Sequence, residues 1–167
     1  MAAVDMFLKL DGVDGESTDE QHIKWIEIES FSWGVSNPTT IGSATSGAGA
    51  GKAVPGDFVV VMPFTSASPQ IFKKCVTGDH YQTAVLSMRK AGGEQRAAGQ
   101  DFLKYNFATV FTTKIEWGGS SDEGPEESIT FVYGSLQVQY QPQKPDGTLG
   151  DLVASGWDFI RNIELTA

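Results

Sequence analysis

Apolar and polar residues alternate along most of this chain, and the period of two predicts strands. In 5–12, Met6, Leu8 and Leu10 fall on one side before Asp11-Gly12 turns the chain. Trp25 to Val35 reads WIEIESFSWGV. Ile26 and Ile28 share one face, Phe31, Trp33 and Val35 share the other, and the phase inverts near Glu29-Ser30. Such an inversion marks a bulge, or a strand passing between two environments. Phe58 to Phe64 is continuously apolar, which predicts a strand buried on both faces. The longest pattern runs from Phe102 to Trp117. Leu103, Tyr105, Phe107, Phe111, Ile115 and Trp117 lie on one parity, and Lys104, Asn106, Thr112, Lys114 and Glu116 on the other, predicting a long strand or a bent pair. Ile129, Phe131 and Tyr133 continue the theme, and after Gly134 the phase passes to Leu136, Val138 and Tyr140, as at a glycine bulge. Trp157, Phe159, Ile163 and Leu165 predict a final strand.

Helical spacing is confined to one segment. Ser68 is placed to cap it, Pro69 to open it and Gly78 to close it, with Ile71, Phe72, Cys75 and Val76 recurring between them. A strand from Tyr81 to Lys90 follows and ends at Ala91-Gly92-Gly93-Glu94. Many strands and one short helix predict a single mainly β domain over 1–167, a compact barrel of two sheets with a flanking helix. One segment stands apart. Residues 36–56 contain no aromatic side chain and are mostly Gly, Ala, Ser, Thr and Pro, a loop longer than compact domains ordinarily carry without a functional reason. Strands continue on both sides of it, so it reads better as a long reaching hairpin than as a linker between domains.

Charge narrows the partners. The chain has 12 Lys and Arg against 21 Asp and Glu, a net charge of -9. That balance argues against nucleic acid, whose backbone wants clustered cations, and against anionic lipid. A single cysteine, Cys75, excludes an internal disulfide. The start, MAAVDMFLKLDG, lacks a basic segment and a long apolar run, so no Sec-type signal peptide is expected, and no apolar run reaches membrane-spanning length.

The run SATSGAGAGKAV, ending in Gly51-Lys52, invites a phosphate-binding reading. A P-loop requires glycine where Ser46 stands and a hydroxyl where Ala53 stands, and the dinucleotide pattern places a glycine where Lys52 stands. Cys75 and His80 form the one close thiol–imidazole pair, but Cys75 lies on the apolar stripe and is read as a buried structural residue. His22, among Ser17-Thr18-Asp19-Glu20-Gln21, is read as solvated, and Asp122, Glu123, Glu126 and Glu127 as an exposed hairpin tip. No metal-ligand spacing or nucleophile elbow is present in the sequence, so no catalytic residue, metal or cofactor is expected.

Four stretches in order then carry a resemblance: Val4-Asp5-Met6-Phe7-Leu8-Lys9, Ser32-Trp33-Gly34-Val35-Ser36, Arg89-Lys90-Ala91-Gly92-Gly93-Glu94, and Tyr140-Gln141-Pro142-Gln143-Lys144 with Asp146-Gly147. They resemble Hcp, the haemolysin-coregulated tube-protein family of type VI secretion systems, along the whole chain. The resemblance implies a two-sheet β-barrel with one flanking helix, six copies in a ring, and rings stacked into a hollow tube. It implies effector proteins carried in the lumen, a spike protein and contractile sheath as partners, and release from the bacterial cytoplasm without a signal peptide. It places Thr39, Thr40, Ile41, Gly42, Ser43, Gly47, Gly49, Gly51 and Lys52 in a loop that contacts the neighbouring ring, and Ser32 on the lumen face. A monomeric ligand-binding barrel and a small barrel hydrolase using Cys75 or the acidic cluster stand as the alternatives.

Overall fold

The computed structural model describes residues 4–39, 51–90 and 100–165. In chain order the elements are β1 (Val4–Leu10), β2 (Ile26–Glu27), β3 (Ser30–Ser32), β4 (Val35–Ser36), β5 (Val54–Pro55), β6 (Phe58–Pro63), α1 (Ser68–Thr77), β7 (His80–Lys90), β8 (Asp101–Ser120), β9 (Gly124–Tyr140), β10 (Val153–Asp158) and β11 (Ile163–Leu165). They make a mainly β fold of two sheets, nine-stranded and two-stranded, flanked by one short helix, and every pair is antiparallel. No βαβ unit exists among the described residues to carry a nucleotide crevice.

The inversion at Glu29-Ser30 is what draws the large sheet round on itself. β2 pairs with β1 on one side of the fold, and β3 pairs with β6, itself paired to β9, on the other. Between them the Ile28 N–H donates to the Met6 carbonyl at 3.1 Å and the Glu29 N–H to the Val61 carbonyl at 2.8 Å. One short segment therefore passes its hydrogen bonds from one wall to the other. The circuit β2–β1–β7–β8–β9–β6–β3 is completed by the chain rather than by a ladder.

The core fills this circuit. Phe58 stacks on Phe107 at 4.5 Å and leans on Phe131 at 5.8 Å, with Leu8, Leu10, Ile26, Val60, Met62, Leu86 and Ile129 packed around them. β6 is covered on one face rather than two. Phe58, Val60 and Met62 are buried while Val59 and Val61 are half-buried on the outer surface. The expected single alternation along β8 also breaks. Phe107 points inward, then Val110 and Thr112 do, leaving Phe111 36% exposed. Two irregularities explain it: Thr109 takes φ 56, and the register with β9 shifts between Thr112 and Lys114. The left-handed turn at Thr109 reverses the facing while the register is kept, and the extra residue between Thr112 and Lys114 reverses it again. The phase along β9 changes at Gly134 as expected, from Ile129 and Phe131 to Leu136, but without a bulge there, since Ala108 with Ser135 and Val110 with Tyr133 keep the register. Gly134 supplies room, since a Cβ there would sit 2.7 Å from Ile160 Cδ1.

The single last strand expected over 157–165 is two. β10 and β11 are joined by a turn in which the Asp158 carboxylate accepts from the Ile160 and Arg161 N–H groups, each at 3.0 Å, and Asn162 takes φ 56. The helix likewise departs in detail. Ser68 is its first residue rather than its cap, and its hydroxyl accepts from the Thr65 N–H at 2.9 Å and donates to Glu127. Of the apolar stripe only Ile71 is buried. Phe72 and Val76 are exposed and Cys75 is half-buried, so the cysteine is not a core residue. Gly78 closes the helix at φ 74, donating its N–H to the Lys74 carbonyl at 3.1 Å. Gly78→Ala is expected to cost about 1 kcal/mol, read from the midpoint of chemical unfolding, because an L side chain is strained there.

Candidate assembly site

The loop predicted over 36–56 rises from a stem. β4 and β5 pair Val35 with Pro55 and Ser36 with Val54, the hairpin root expected of a reaching arm. At its foot the Gly56 N–H donates to the Gly34 carbonyl at 2.7 Å, and a Cβ on Gly56 would meet that oxygen at 2.6 Å, so the two backbones touch only because the residue is glycine. The Tyr133 hydroxyl clamps the foot to the barrel, donating to the Gly56 carbonyl at 2.7 Å and accepting from Trp33 Nε1. Burial pushes this phenol above its ordinary value, against the lowering pull of the Trp33 bond. Tyr133→Phe removes both bonds and leaves an indole N–H without its partner, so we expect a loss of about 1–2 kcal/mol in thermal or chemical unfolding.

Of the residues predicted to contact a neighbouring ring, Thr39, Gly51 and Lys52 are described. Thr39 is exposed and folds back on Asn37 through its N–H at 2.8 Å and its hydroxyl at 3.0 Å. Gly51 packs against Pro38, and Lys52 is exposed. Thr40, Ile41, Gly42, Ser43, Gly47 and Gly49 lie outside the described residues, as does the turn Ala91-Gly92-Gly93-Glu94. Ser32 is exposed on β3, opposite the side from which Phe31 reaches Phe58 and Tyr105 and Trp33 reaches Tyr105. Across the strands Ser32 is registered with Val59, Val59 with Thr130 and Thr130 with Lys114, a row on the barrel's outer face that ends in a cation.

A second surface had no clear mark in the sequence. β10 and β11 form a wing on the second half of β9, and among the described residues β11 ends the strand order with no further strand on its outer edge. Leu152, Val153, Ile160 and Ile163 are exposed there, Ile160 by 70%. Between wing and stem runs an apolar groove walled by Trp33, Val35, Leu136, Val138, Trp157 and Phe159. The Trp157 indole nitrogen is buried without a partner among the described residues. Parity along 153–165 hid this surface, because a short strand that breaks at a turn leaves few positions to count.

The acidic residues divide. Asp122, Glu123 and Glu126 are exposed at the β8–β9 tip as expected, whereas Glu127 is buried, accepting from Trp117 Nε1 at 3.0 Å and from Ser68. Glu29 faces the tip, and burial followed by the hydrogen bond and charge of Glu126 and the charge of Glu123 raises its carboxyl above the usual range. His22 is not solvated. It is 1% exposed, stacked on Phe7 at 4.1 Å and bonded to Asp19 and Asp101. Cys75 and His80 share no hydrogen bond among the described residues; His80 lies against Phe111 at 5.5 Å instead. No group of three His, Cys, Asp or Glu among the described residues is arranged to hold a metal ion. Among the described residues no helix is long and apolar enough to cross a membrane.

Comparison with known proteins gives this geometry a context. Residues 7–140 match the family described as Type VI secretion system effector, Hcp. Protein hcp1 of Pseudomonas aeruginosa is 35% identical over 164 residues, covering 97% of this chain and 99% of that protein. A solved type six secretion system protein superposes with a TM-score of 0.88 at 34% identity, covering 98% of this chain and 100% of the other. Hcp1 from Salmonella typhimurium does so with a TM-score of 0.77 at 30% identity, over 98% and 100%.

Proposed function

Since the chain belongs to the Hcp family of type VI secretion proteins, we propose that it is a structural subunit of the secretion tube, closing six to a ring and stacking ring on ring. The observation that carries this reading is the exposure of two unlike surfaces on one chain. The wing offers a β11 edge with no further strand on it among the described residues, flanked by exposed Leu152, Val153 and Ile163, and the stem stands beside an open apolar groove. Exposed apolar area next to a bare strand edge favours association. Contact between different patches closes into a ring when its rotation permits. With a net charge of -9, copies cannot be gathered by bulk attraction, so such contacts rest on edge pairing and apolar anchors.

In this reading the arm carried by β4 and β5 touches the next ring, through Thr39, Thr40, Ile41, Gly42, Ser43, Gly47, Gly49, Gly51 and Lys52. Ser32 and the row it begins, through Val59 and Thr130 to Lys114, face the lumen, where effector proteins ride. The subunit works with the spike protein and contractile sheath, leaves the bacterial cytoplasm with its cargo, and catalyses no reaction.

Mass measurement and negative-stain imaging of the purified protein test this together. Annular particles of hexamer mass are expected, and a monomer at every concentration would overturn it. Deleting Thr39 to Gly49 should leave the circular dichroism of the barrel and the rings intact while shortening stacks. A deletion variant that stacks normally would remove the arm from the account.

A further inference from the structure

The segment between β1 and β2 lies as a strap against Phe7, on the face of β1 opposite Leu8 and Leu10, and is tied to itself by Gly15 N–H to Lys24 carbonyl at 2.7 Å and Lys24 N–H to Ser17 carbonyl at 2.8 Å. His22 attaches it to β8. Nδ1 meets Asp19 Oδ2 at 2.7 Å and Nε2 meets Asp101 Oδ2 at 3.0 Å, on β8. The ring is 1% exposed, parallel to Phe7 within 4° and edge-on to Trp25 at 4.9 Å. A neutral imidazole has one N–H and one bare nitrogen, and an ionised carboxylate only accepts. Two carboxylate partners are satisfied together only by a ring carrying both protons.

We propose that His22 is the doubly protonated centre of a charge-balanced latch, and that loss of its second proton frees the strap from β8. The groups around it support this. Arg89 on β7 reaches Asp19 Oδ1 at 2.6 Å and Asp5 Oδ2, on β1, at 3.3 Å, and lies over the Phe7 ring at 5.1 Å. Lys104 on β8 stands 3.7 Å from Asp101 Oδ2. Three cations, Arg89, Lys104 and the imidazolium, thus face three carboxylates, Asp5, Asp19 and Asp101. Removing one proton from the ring turns a bare nitrogen toward a carboxylate oxygen where little water reaches, and uncompensated burial of that kind is costly.

The direction in pH follows. The two bonds exist while the ring is doubly protonated, so their contribution is complete on the acid side and lost as pH rises past the point where the ring gives up a proton. On the acid side the Asp19 end of the latch keeps its charge. Burial acts to raise the Asp19 carboxyl, but hydrogen bonds from His22 and Arg89 and their charges outweigh it, and the group ends below its ordinary value. The latch is closed while the ring holds both protons and opens when it gives one up.

Two measurements on the full-length protein decide it. Nitrogen NMR of protein labelled at histidine should show both His22 ring nitrogens in their protonated positions at about pH 7, with exposed His80 as internal reference. A bare ring nitrogen at His22 would overturn the proposal without recourse to any variant. Between about pH 6 and 9 the melting midpoint of the unaltered protein should then fall by about 5 °C more than that of His22→Gln, which cannot change charge. Parallel profiles would overturn the latch even if the ring proves doubly protonated.

Discussion

Phe58→Ala lowers folding stability by about 3–5 kcal/mol, the largest effect we expect from a single core substitution. The ring is 1% exposed and lies at the crossing of both walls: on Phe107 at 4.5 Å, against Phe131 at 5.8 Å and edge-on to Phe31 at 6.5 Å. Its strand is bonded on one side to β3 and on the other to β9, so the surroundings cannot collapse into the space without shearing two ladders. The cost is therefore the lost transfer energy plus an unrelieved cavity. Phe58→Leu, which retains most of the volume, should cost about 1–2 kcal/mol. Guanidinium unfolding monitored by tryptophan fluorescence separates the two variants, and equal small losses would mean that Phe58 is not the centre of the core.

The second large effect is Glu127→Ala, about 2–4 kcal/mol. Its carboxylate is buried between the helix and the long hairpin, taking the Trp117 indole proton at 3.0 Å and the Ser68 hydroxyl proton. Truncation leaves two donors facing a void. Glu127→Gln retains one acceptor oxygen but turns an amide N–H toward the other donor, and the Ser68 hydroxyl can rotate to accept it. That variant should lose only about 1 kcal/mol. A Glu127→Ala protein as stable as Glu127→Gln would show that the carboxylate does not tie helix to hairpin.

These cases mark how far the sequence could be read. The handover at Glu29-Ser30 was legible because two apolar faces of opposite parity abut within WIEIESFSWGV, and the stem because strand signals bracket a glycine-rich stretch. The family was legible because four separated stretches stand in order. His22 and Glu127 were not legible. Their neighbours in sequence are polar, and what buries them is remote: Asp101 lies 79 positions from His22 and Ser68 lies 59 from Glu127. The reversal along β8 was hidden for a different reason. Its turning residue is Thr109, whose side chain ordinarily favours extended backbone, and the glycine that makes room for the turn sits on β9. The wing escaped because Asp158 and Asn162 turn the chain after only a few alternating positions.

β9 has a mechanical consequence. Over 17 residues, roughly 55 Å when extended, its first half is bonded to β6 in the barrel and its second half to β10 in the wing, with β8 alongside both. A pull applied to the wing along this strand runs straight into the barrel wall. It loads many hydrogen bonds sideways at once instead of peeling them one by one. A chain wired in this way resists such a pull as a rigid spar.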